Sequence, residues 1–434
     1  MMIDVNVGLI GYGNVGQGVV KLLKKKRALL QDKYHIQVNV RGICDLQFRK
    51  KKPRGLGKKT ILTSDARKLL EDPDTAVIIE LIGGLHPAKE FVLQALKNGK
   101  HVITANKALI AQYGKTLFKA AEKYQRNIYF ETSVLAGVPL IKTLTEGLAG
   151  NDIHAVYGII NGTCNYVLSE MSSNNLSFEN AVKKAQANGF AETDPTLDIN
   201  GMDAAYKLAI LTYLAFGKFV TPKSIHTEGI THISHQDIQF AEELGLTIKL
   251  LAIAKNAPDG IEARVHPTLI QQDHPLAAIN GVLNAALLEA DPLGEILLSG
   301  EGAGQYAAAS GVMSDLINLI SRHDGDPQNY IGNFYHEAPD RIQKKIDSIS
   351  TKFYLRIMAE DKPGVLSKIS GILARYGISI SSVSQKAQGT SGAIPVVMLT
   401  ETATEKKVRQ ALDRIHKLPV VKKRPVAIRI ENLT

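Results

Sequence analysis

The sequence predicts an α/β protein in three parts: a doubly wound parallel sheet, an α+β middle region, and a βαββαβ tail. Three observations predict it. Short β-rich runs alternate with helical stretches through the first third of the chain. Residues 151–320 then mix helical runs with β-rich pieces. From residue 351 the pattern reads strand, helix, strand, strand, helix, strand.

In the first part the strands are "VNVGLIG" (5–11), "VNVRGICD" (38–45), "AVIIELIG" (76–83), "HVITAN" (101–106) and "NIYFET" (127–132). Between them lie patterns such as "PAKEFVLQALKNG" (87–99), with Phe91, Val92, Ala95 and Leu96 on one face and Gly99 as a stop. Such alternation argues for a parallel, Rossmann-type sheet. The first helix is expected to extend through "KKKRALLQDKYH". In the middle part "IHAVYGIING" (153–162) is a strand, and helical runs cover 178–188, 203–217 and 237–253. β-rich pieces near 262–300 offer strands that can pair between subunits. The polar stretch 322–352, with two prolines, reads as a linker. The expected domains are therefore 1–135, 136–322, a linker over 323–350, and 351–434.

The tail is the clearest supersecondary unit. "FYLRIMAE" (353–360) is a strand, and "GVLSKISGILARYG" (364–377) is a helix with Val365, Leu366, Ile369, Ile372 and Leu373 on one stripe. "ISISSVSQK" and "AIPVVMLTE" follow as strands, "TEKKVRQALDRIHKL" as a helix and "KRPVAIRIE" as the last strand. This is the ferredoxin-like order. Its edges and one face are expected to be free for dimerisation.

Composition agrees with a globular protein of several domains. The 434 residues are 44% hydrophobic and 22% charged. No apolar run approaches the ~18 residues of a membrane span. "MMIDVNVGLIG" reads directly as a first strand, and Cys44 and Cys164 match no zinc or redox spacing, so a cytoplasmic setting is expected. The net charge of +10 is concentrated in "KLLKKKR" (21–27), "RKKKPRGLGKK" (49–59) and "VKKRP" (421–425). Trp is absent and no nucleic-acid-binding signature accompanies these runs, so they read as solvated surface. Neither nucleic acid nor membrane is an expected partner.

Four motifs carry chemistry. "GLIGYGNVGQGVV" places Gly11, Gly13 and Gly16, with Asn14 and Val15 between them, after a strand and at the start of a helix. Gly11 permits the tight turn, Gly13 admits a pyrophosphate to the backbone, and Gly16 lets the helix pack on the sheet. The helix N-terminus offers N–H groups to the phosphates. Strand two ends at Asp45, suited to the ribose of NAD, followed by Arg49 and Lys50, suited to the 2′-phosphate of NADP. The basic residues tilt the balance towards NADP, with dual use open. "VITANKALIA" places Asn106 and Lys107 at the carboxyl ends of the strands, where ligands bind. "YFETSVLAGVP" pairs Glu131 with a Gly-Val-Pro turn, which by itself reads as a capped turn.

The stretch "NGFAETDPTLDINGMDAAYKLAIL" (188–211) poses the sharpest question. Glu192, Asp194, Asp198 and Asp203 crowd against an apolar helix that carries Lys207 one turn beyond Asp203. Charges there are costly unless they pair or bind something. A desolvated lysine gives up its proton more readily, and a nearby acid partly restores its charge, which makes such a lysine a usable acid/base. A buried structural ion pair is the plainer alternative. Glu192 and Asp198 are suited to a cationic group such as an α-ammonium.

With these motifs in place the sequence resembles homoserine dehydrogenase of the form that carries a C-terminal ACT domain. The resemblance spans essentially the whole chain. It rests on "GYGNVGQG", "TANK", "ETSVLAGVP", "IINGTCNY" (159–166), "GFAETDPTLDINGMDAAYKL" (189–208) and "GEGAGQYAAASGVMSDL" (300–316). It implies reversible NAD(P)-dependent interconversion of L-homoserine and L-aspartate 4-semialdehyde, on the route to threonine, methionine and isoleucine. It implies Lys207 as acid/base, Lys107 beside it touching cofactor and substrate, and Asp203 supporting Lys207. Glu192 and Asp198 would hold the substrate ammonium, with Thr163 on the substrate side and Gly302 near the cofactor. A sodium ion would be held by the Glu131 carboxylate and the carbonyls of Val134, Ala136 and Val138, although the family frequently has Gly where this chain has Ala136. The "MAEDKPGVL" loop would present Asp361, Gly364 and Val365 to an amino-acid effector, with L-threonine expected, in a homodimer or homotetramer.

Two other readings compete. A non-catalytic NAD(P) and amino-acid sensor would bind cofactor without turnover, but gives no use for Lys207. An acylating semialdehyde dehydrogenase needs a nucleophilic cysteine, and Cys164 is the one candidate in the substrate region.

Overall fold

The computed structural model of the chain describes residues 2–49, 56, 59–321, 342–385 and 393–433. Its contacts divide into two compact units. One comprises 1–156, 206–224 and 284–340; the other comprises 157–205, 225–283 and 341–434.

The first unit begins β1 (Ile3–Ile10), α1 (Asn14–Lys25), α2 (Arg27–Tyr34), β2 (Ile36–Cys44), β3 (Ile61–Thr63), α3 (Arg67–Leu70), β4 (Val77–Glu80), α4 (Ala88–Lys97), β5 (His101–Thr104), α5 (Lys107–Lys123) and β6 (Ile128–Tyr129). The six strands form one sheet in the order β3-β2-β1-β4-β5-β6, with every pair parallel. β4 and β5 are buried throughout, as strands covered on both faces must be. The strand order reverses between β1 and β4, which opens a ligand crevice at their carboxyl ends. The expected long first helix is instead two helices. Lys26 closes α1 by donating its N–H to Leu22 O, and the chain turns before α2. The inserted α2 accounts for the long spacing from the glycines to Asp45.

After α6 (Thr132–Leu135) and α7 (Leu140–Lys142), β7 (Asp152–Ile159) carries the chain into the second unit. There follow α8 (Gly162–Ser173), α9 (Phe178–Ala187), α10 (Thr196–Ile199), α11 (Met202–Phe216), β8 (His226–Thr227), α12 (His235–Glu243), β9 (Leu246–Ala257) and β10 (Gly260–Gln271). The helix expected over 237–253 is half wrong. Gly245, at φ +70°, ends the helical run, and "LTIKLLAIAKNA" is β9, paired along its length with antiparallel β10. Returning to the first unit, β11 (Leu283–Asp291) and β12 (Gly294–Glu301) lead to α13 (Gln305–Ser321), which packs on α1.

Residues 322–341, most of the expected linker, lie outside the described residues. Ile342 and Lys344 hydrogen-bond to Ile261. The tail then runs β13 (Ser350–Ala359), α14 (Val365–Arg375), β14 (Ile380–Gln385), β15 (Ile394–Thr400), β16 (Ala403–Thr404), α15 (Glu405–His416) and β17 (Val426–Ile430). α14 and α15 bury Ile369, Leu373, Val408 and Ile415 against the β13 and β15 face. The βαββαβ order is present, but the tail's sheet does not have two free edges. β17 pairs in parallel with β10 through Thr268–Arg429 and Leu269–Ile430, giving the continuous order β9-β10-β17-β13-β15-β14 within this unit.

Buried charge seals that seam. Arg429, 3% exposed, donates to both oxygens of Glu228 (2.8 and 2.9 Å) and both of Glu405 (2.6 and 2.9 Å). Burial raises the Glu228 carboxyl, yet His226 and Arg429 outweigh it and hold the group well below the usual carboxylate range. Arg356 clamps Asp237 at 2.6 and 2.9 Å, and Arg264 pairs with Glu431. Removing one partner of such a group strands the others in low dielectric. Arg429→Met is expected to cost about 3–5 kcal/mol of stability, read as a lower urea midpoint. A loss below about 1 kcal/mol would contradict this account of the seam.

Candidate active site

The carboxyl edge of the parallel sheet is built as a dinucleotide cradle. Gly11 sits at φ +105°, and a side chain there would meet Leu81 backbone at 2.8 Å. A Cβ on Gly16 would lie 2.3 Å from Gly11 O, so α1 can approach the turn only with glycine at that position. A Cβ on Gly13 meets nothing within 4 Å, and no side chain caps the N-terminus of α1. Open space beside a helix N-terminus is the chemistry a pyrophosphate needs. Asn14 is exposed, whereas Val15 packs on Ala136, Ala307 and Ala308. The Asp45 carboxylate accepts from Tyr12 N (2.7 Å) and Gln47 N (2.8 Å), so it braces the glycine turn as well as standing at the end of β2. The Arg49 side chain and Lys50 lie outside the described residues.

Asn106 is the N-cap of α5: its Oδ1 accepts from Leu109 N, and its Nδ2 donates to Gly84 O at 2.6 Å. Lys107 is the first residue of α5 and is half-buried. Beneath them Glu80, fully buried and pushed up by that burial, accepts from Thr104 Oγ1 and Ile82 N. Sequence reasoning missed Glu80; a carboxylate closing the apolar strand "AVIIE" was its signal. It also missed Gln305, whose Nε2 donates to the carbonyl and side-chain oxygens of Asn14, both at 2.9 Å. Gly302 is required by packing, since a Cβ would fall 2.1 Å from the Asn284 side chain.

Glu131, 4% exposed, accepts from Ile141 N and Lys142 N, both at 2.8 Å. Burial outweighs these donors and pushes its carboxyl up to about 7. Its own N–H donates to Asp315, another fully buried acid. Val134 and Val138 are buried, and Ala136 adopts φ +44°, a conformation L side chains rarely take. That backbone explains why glycine suits the position. Among the described residues, no cluster of three or more His, Cys, Asp or Glu side chains gathers to hold a metal.

The acid stretch lies on α10, α11 and the loop before them. Asp203 and Lys207, 7% and 8% exposed, stand one turn apart on α11. Asp198 and Asp203 are drawn together by a residue the sequence reading passed over. Asn161 donates through Nδ2 to Asp198 Oδ1 (2.8 Å) and to Asp203 Oδ2 (2.9 Å). Its signal was the Asn before "GTC", an N-cap pattern, and Oδ1 does accept from Cys164 N at 2.8 Å. Thr163 Oγ1 donates to Phe190 O. Glu192 is exposed on that loop, its carbonyl accepting from Gln186, and no bond to the Asn161 cluster involves it. Cys164 is fully buried, and its thiol donates to Asp198 O at 3.1 Å, a structural environment that does not suit an acylated nucleophile.

In the tail, Gly364 (φ +86°) starts α14 and Asp361 is exposed, while Val365 is buried and presents only backbone. Gln385 donates to Asp361 at 3.3 Å.

Comparison with known proteins joins these parts. Residues 11–131 match the model of the homoserine dehydrogenase NAD-binding domain, 139–317 that of homoserine dehydrogenase, and 353–420 the ACT domain. The chain is 39% identical to homoserine dehydrogenase of Neisseria gonorrhoeae over the full length of both. It is 40% identical to that of Synechocystis over 98% of this chain and 99% of the relative. A crystal structure of a homoserine dehydrogenase from Thiobacillus denitrificans superposes with a TM-score of 0.92 at 39% identity, covering 99% of each chain. A hyperthermophilic archaeal homoserine dehydrogenase in complex with NADPH matches with a TM-score of 0.62 at 27% identity, over 73% of this chain and 98% of that one.

Proposed function

We propose how this site works from one premise: the chain belongs to the homoserine dehydrogenase family. It is an NAD(P)-dependent oxidoreductase with NAD-binding, catalytic and ACT domains. Its reaction interconverts L-homoserine and L-aspartate 4-semialdehyde.

The observation that carries the mechanism is a buried acid and a buried lysine one turn apart on α11, with the acid tied to a second carboxylate. Bound NAD(P) supplies the hydride acceptor. Lys207 takes the hydroxyl proton as the carbon gives up hydride, and returns it when the aldehyde is reduced. Asp203 holds the resulting ammonium, and that charge in turn stabilises the developing alkoxide. Lys107, at the start of α5, orients substrate and cofactor. Asp198 and Glu192 attract the substrate ammonium, with Thr163 fixing the Phe190 end of the loop. Gly11, Gly13, Asn14, Val15 and Gly16 take the pyrophosphate by their backbone, while Asp45, Arg49 and Lys50 set the choice between NAD and NADP. Asn106 and Gly302 shape the surrounding walls.

Glu131 with the carbonyls of Val134, Ala136 and Val138 suits a sodium ion, because one desolvated carboxylate balances a single positive charge and the carbonyls add neutral hard oxygen ligands. The ion's role is structural. Sodium chloride is expected to raise the melting temperature above that in choline chloride at equal ionic strength, and Glu131→Gln to abolish the difference. An equal gain in the variant would rule the site out.

The Asp361–Val365 loop is the candidate receptor for L-threonine, since it exposes a carboxylate beside a glycine-started helix. β14, an edge strand of its sheet with Val383 exposed, supports pairing into a homodimer or homotetramer. A monomer in sedimentation would contradict that assembly.

One assay tests the mechanism and the regulation together: oxidation of L-homoserine with NAD+ and with NADP+. Lys207→Ala is expected to lose ~10²-fold or more in kcat with its cofactor affinity intact. L-threonine is expected to inhibit the wild type and to leave Asp361→Ala uninhibited at wild-type basal rate. A Lys207→Ala enzyme of near wild-type rate would sink the acid/base assignment, and equal threonine sensitivity would sink the effector site.

A further inference from the structure

We propose that Asn161 is the positioning residue that holds Asp198 and Asp203 in register for an amino-acid substrate. The inference rests on the homoserine reading above and assigns a role to a side chain outside the acid stretch itself.

Three of the four hydrogen-bonding positions of the Asn161 amide are committed, both donors among them. Oδ1 accepts from Cys164 N, one N–H reaches Asp198 Oδ1 and the other reaches Asp203 Oδ2, at 2.8, 2.8 and 2.9 Å. The orientation of the amide is forced. Reversing it would turn a carbonyl towards two carboxylates and an NH2 group towards a backbone N–H. Asn161 is 5% exposed, so water cannot readily replace either donor.

The first turn of α8 grips the acid stretch at two further points. Cys164 Sγ donates to the carbonyl of Asp198, and Thr163 Oγ1 to the carbonyl of Phe190. Thus Asp198 is fixed through both backbone and side chain by residues at the start of one helix. The side chain of Asp203 is tied to the same point, at the opening turn of α11.

Charge explains why an amide suits this place. An Arg or Lys would also bridge two carboxylates, but it would neutralise them and compete with a substrate ammonium. Asn supplies two donors and no charge. Each acid meets Asn161 through one oxygen, and the amide adds no counter-charge of its own. An uncharged clamp therefore does what a cationic one cannot: it brings two acids together without itself competing with a cationic ligand.

Capping and clamping can be separated, because Ser and Asp both cap helices well. Asn161→Ser keeps a cap but reaches neither carboxylate. Asn161→Asp keeps cap and shape, and replaces two donors with a third negative charge. Both variants are expected to raise KM for L-homoserine about 10-fold or more and to lower kcat, because Asp203 loses its tether. Affinity for NADPH should stay near wild type, and the melting temperature should fall in both variants, further in Asn161→Asp, where a third carboxylate faces the pair. The pH profile of kcat/KM should shift in Asn161→Asp, where an added acid faces the pair. Wild-type KM, kcat and pH profile in either folded variant would overturn the proposal and leave Asn161 as a helix cap only. Should Asn161→Ser fail to fold, Asn161→Asp tests the proposal through the same KM, kcat and pH readouts. A wild-type enzyme that does not oxidise L-homoserine at all would overturn the reading beneath the proposal, and the proposal with it, which is a distinct outcome.

Discussion

Two carboxylates held by the two N–H bonds of one neutral amide set the terms for the rest of the catalytic region. Asp198 and Asp203 are brought to a single point by a side chain that carries no charge. Like charges so placed repel, and the repulsion is relieved by hydrogen-bond donors, by a cation or by a proton. Everything nearby can be understood as supporting that arrangement. α8 begins where it does because Asn161 caps it. The 190–198 loop is tied to the first turn of α8 by a hydroxyl and a thiol. α11 buries its apolar length so that its first two turns can present Asp203 and Lys207 from a rigid element.

A different principle, buried charge matched by opposite buried charge, governs the tail. A ferredoxin-like unit is usually regarded as a separable module. Here its last strand extends the sheet of the preceding segment, and Arg429 is inserted between Glu228 and Glu405. Glu228 belongs to a segment packed closely on the end of α10: a side chain on Gly229 would fall 2.0 Å from Ile199 O. The tail and the acid stretch therefore share one continuous body, with Ile199 next to Asp198. Cutting the tail away would expose β10 and strand Arg264 beside Glu262 without Glu431. Point changes in the Asp361–Val365 loop are the cleaner probe of the proposed regulation.

Much of this was legible in the sequence where the backbone or the charge left a single solution. The glycine turn was legible because only glycine can sit at φ +105° or 2.3 Å from a carbonyl. The approach of Asp198 and Asp203 was hinted at by four carboxylates ahead of an apolar helix, whereas Glu192 and Asp194 lie exposed on the loop. The tail was legible from two amphipathic helices set between β-rich runs. What failed was long-range or ambiguous. "FAEELGLTIKLLAI" fits helix and strand alike until Gly245 divides it and β10 pairs with its second half. Arg429 in "VAIRI" carries no sign of its burial in the sequence, and only the partners brought by the fold reveal it. Asn161 was hidden by its own simplicity, since an Asn at a helix start is already explained by capping.

The central claim is that the carboxylates of the acid stretch hold the substrate by its ammonium while Lys207 handles the hydroxyl proton. The most direct measurement compares kcat/KM for L-homoserine with that for 4-hydroxybutanoate, which has the same alcohol and carboxylate but no amine. The account predicts a preference for L-homoserine of ~10²-fold or more, since losing a charge-assisted contact at a partly buried pair of acids costs about 2–3 kcal/mol. It also predicts that Asp198→Asn narrows the preference by weakening homoserine alone. Equal use of the two alcohols by the wild type would contradict it, and the acids would then be structural.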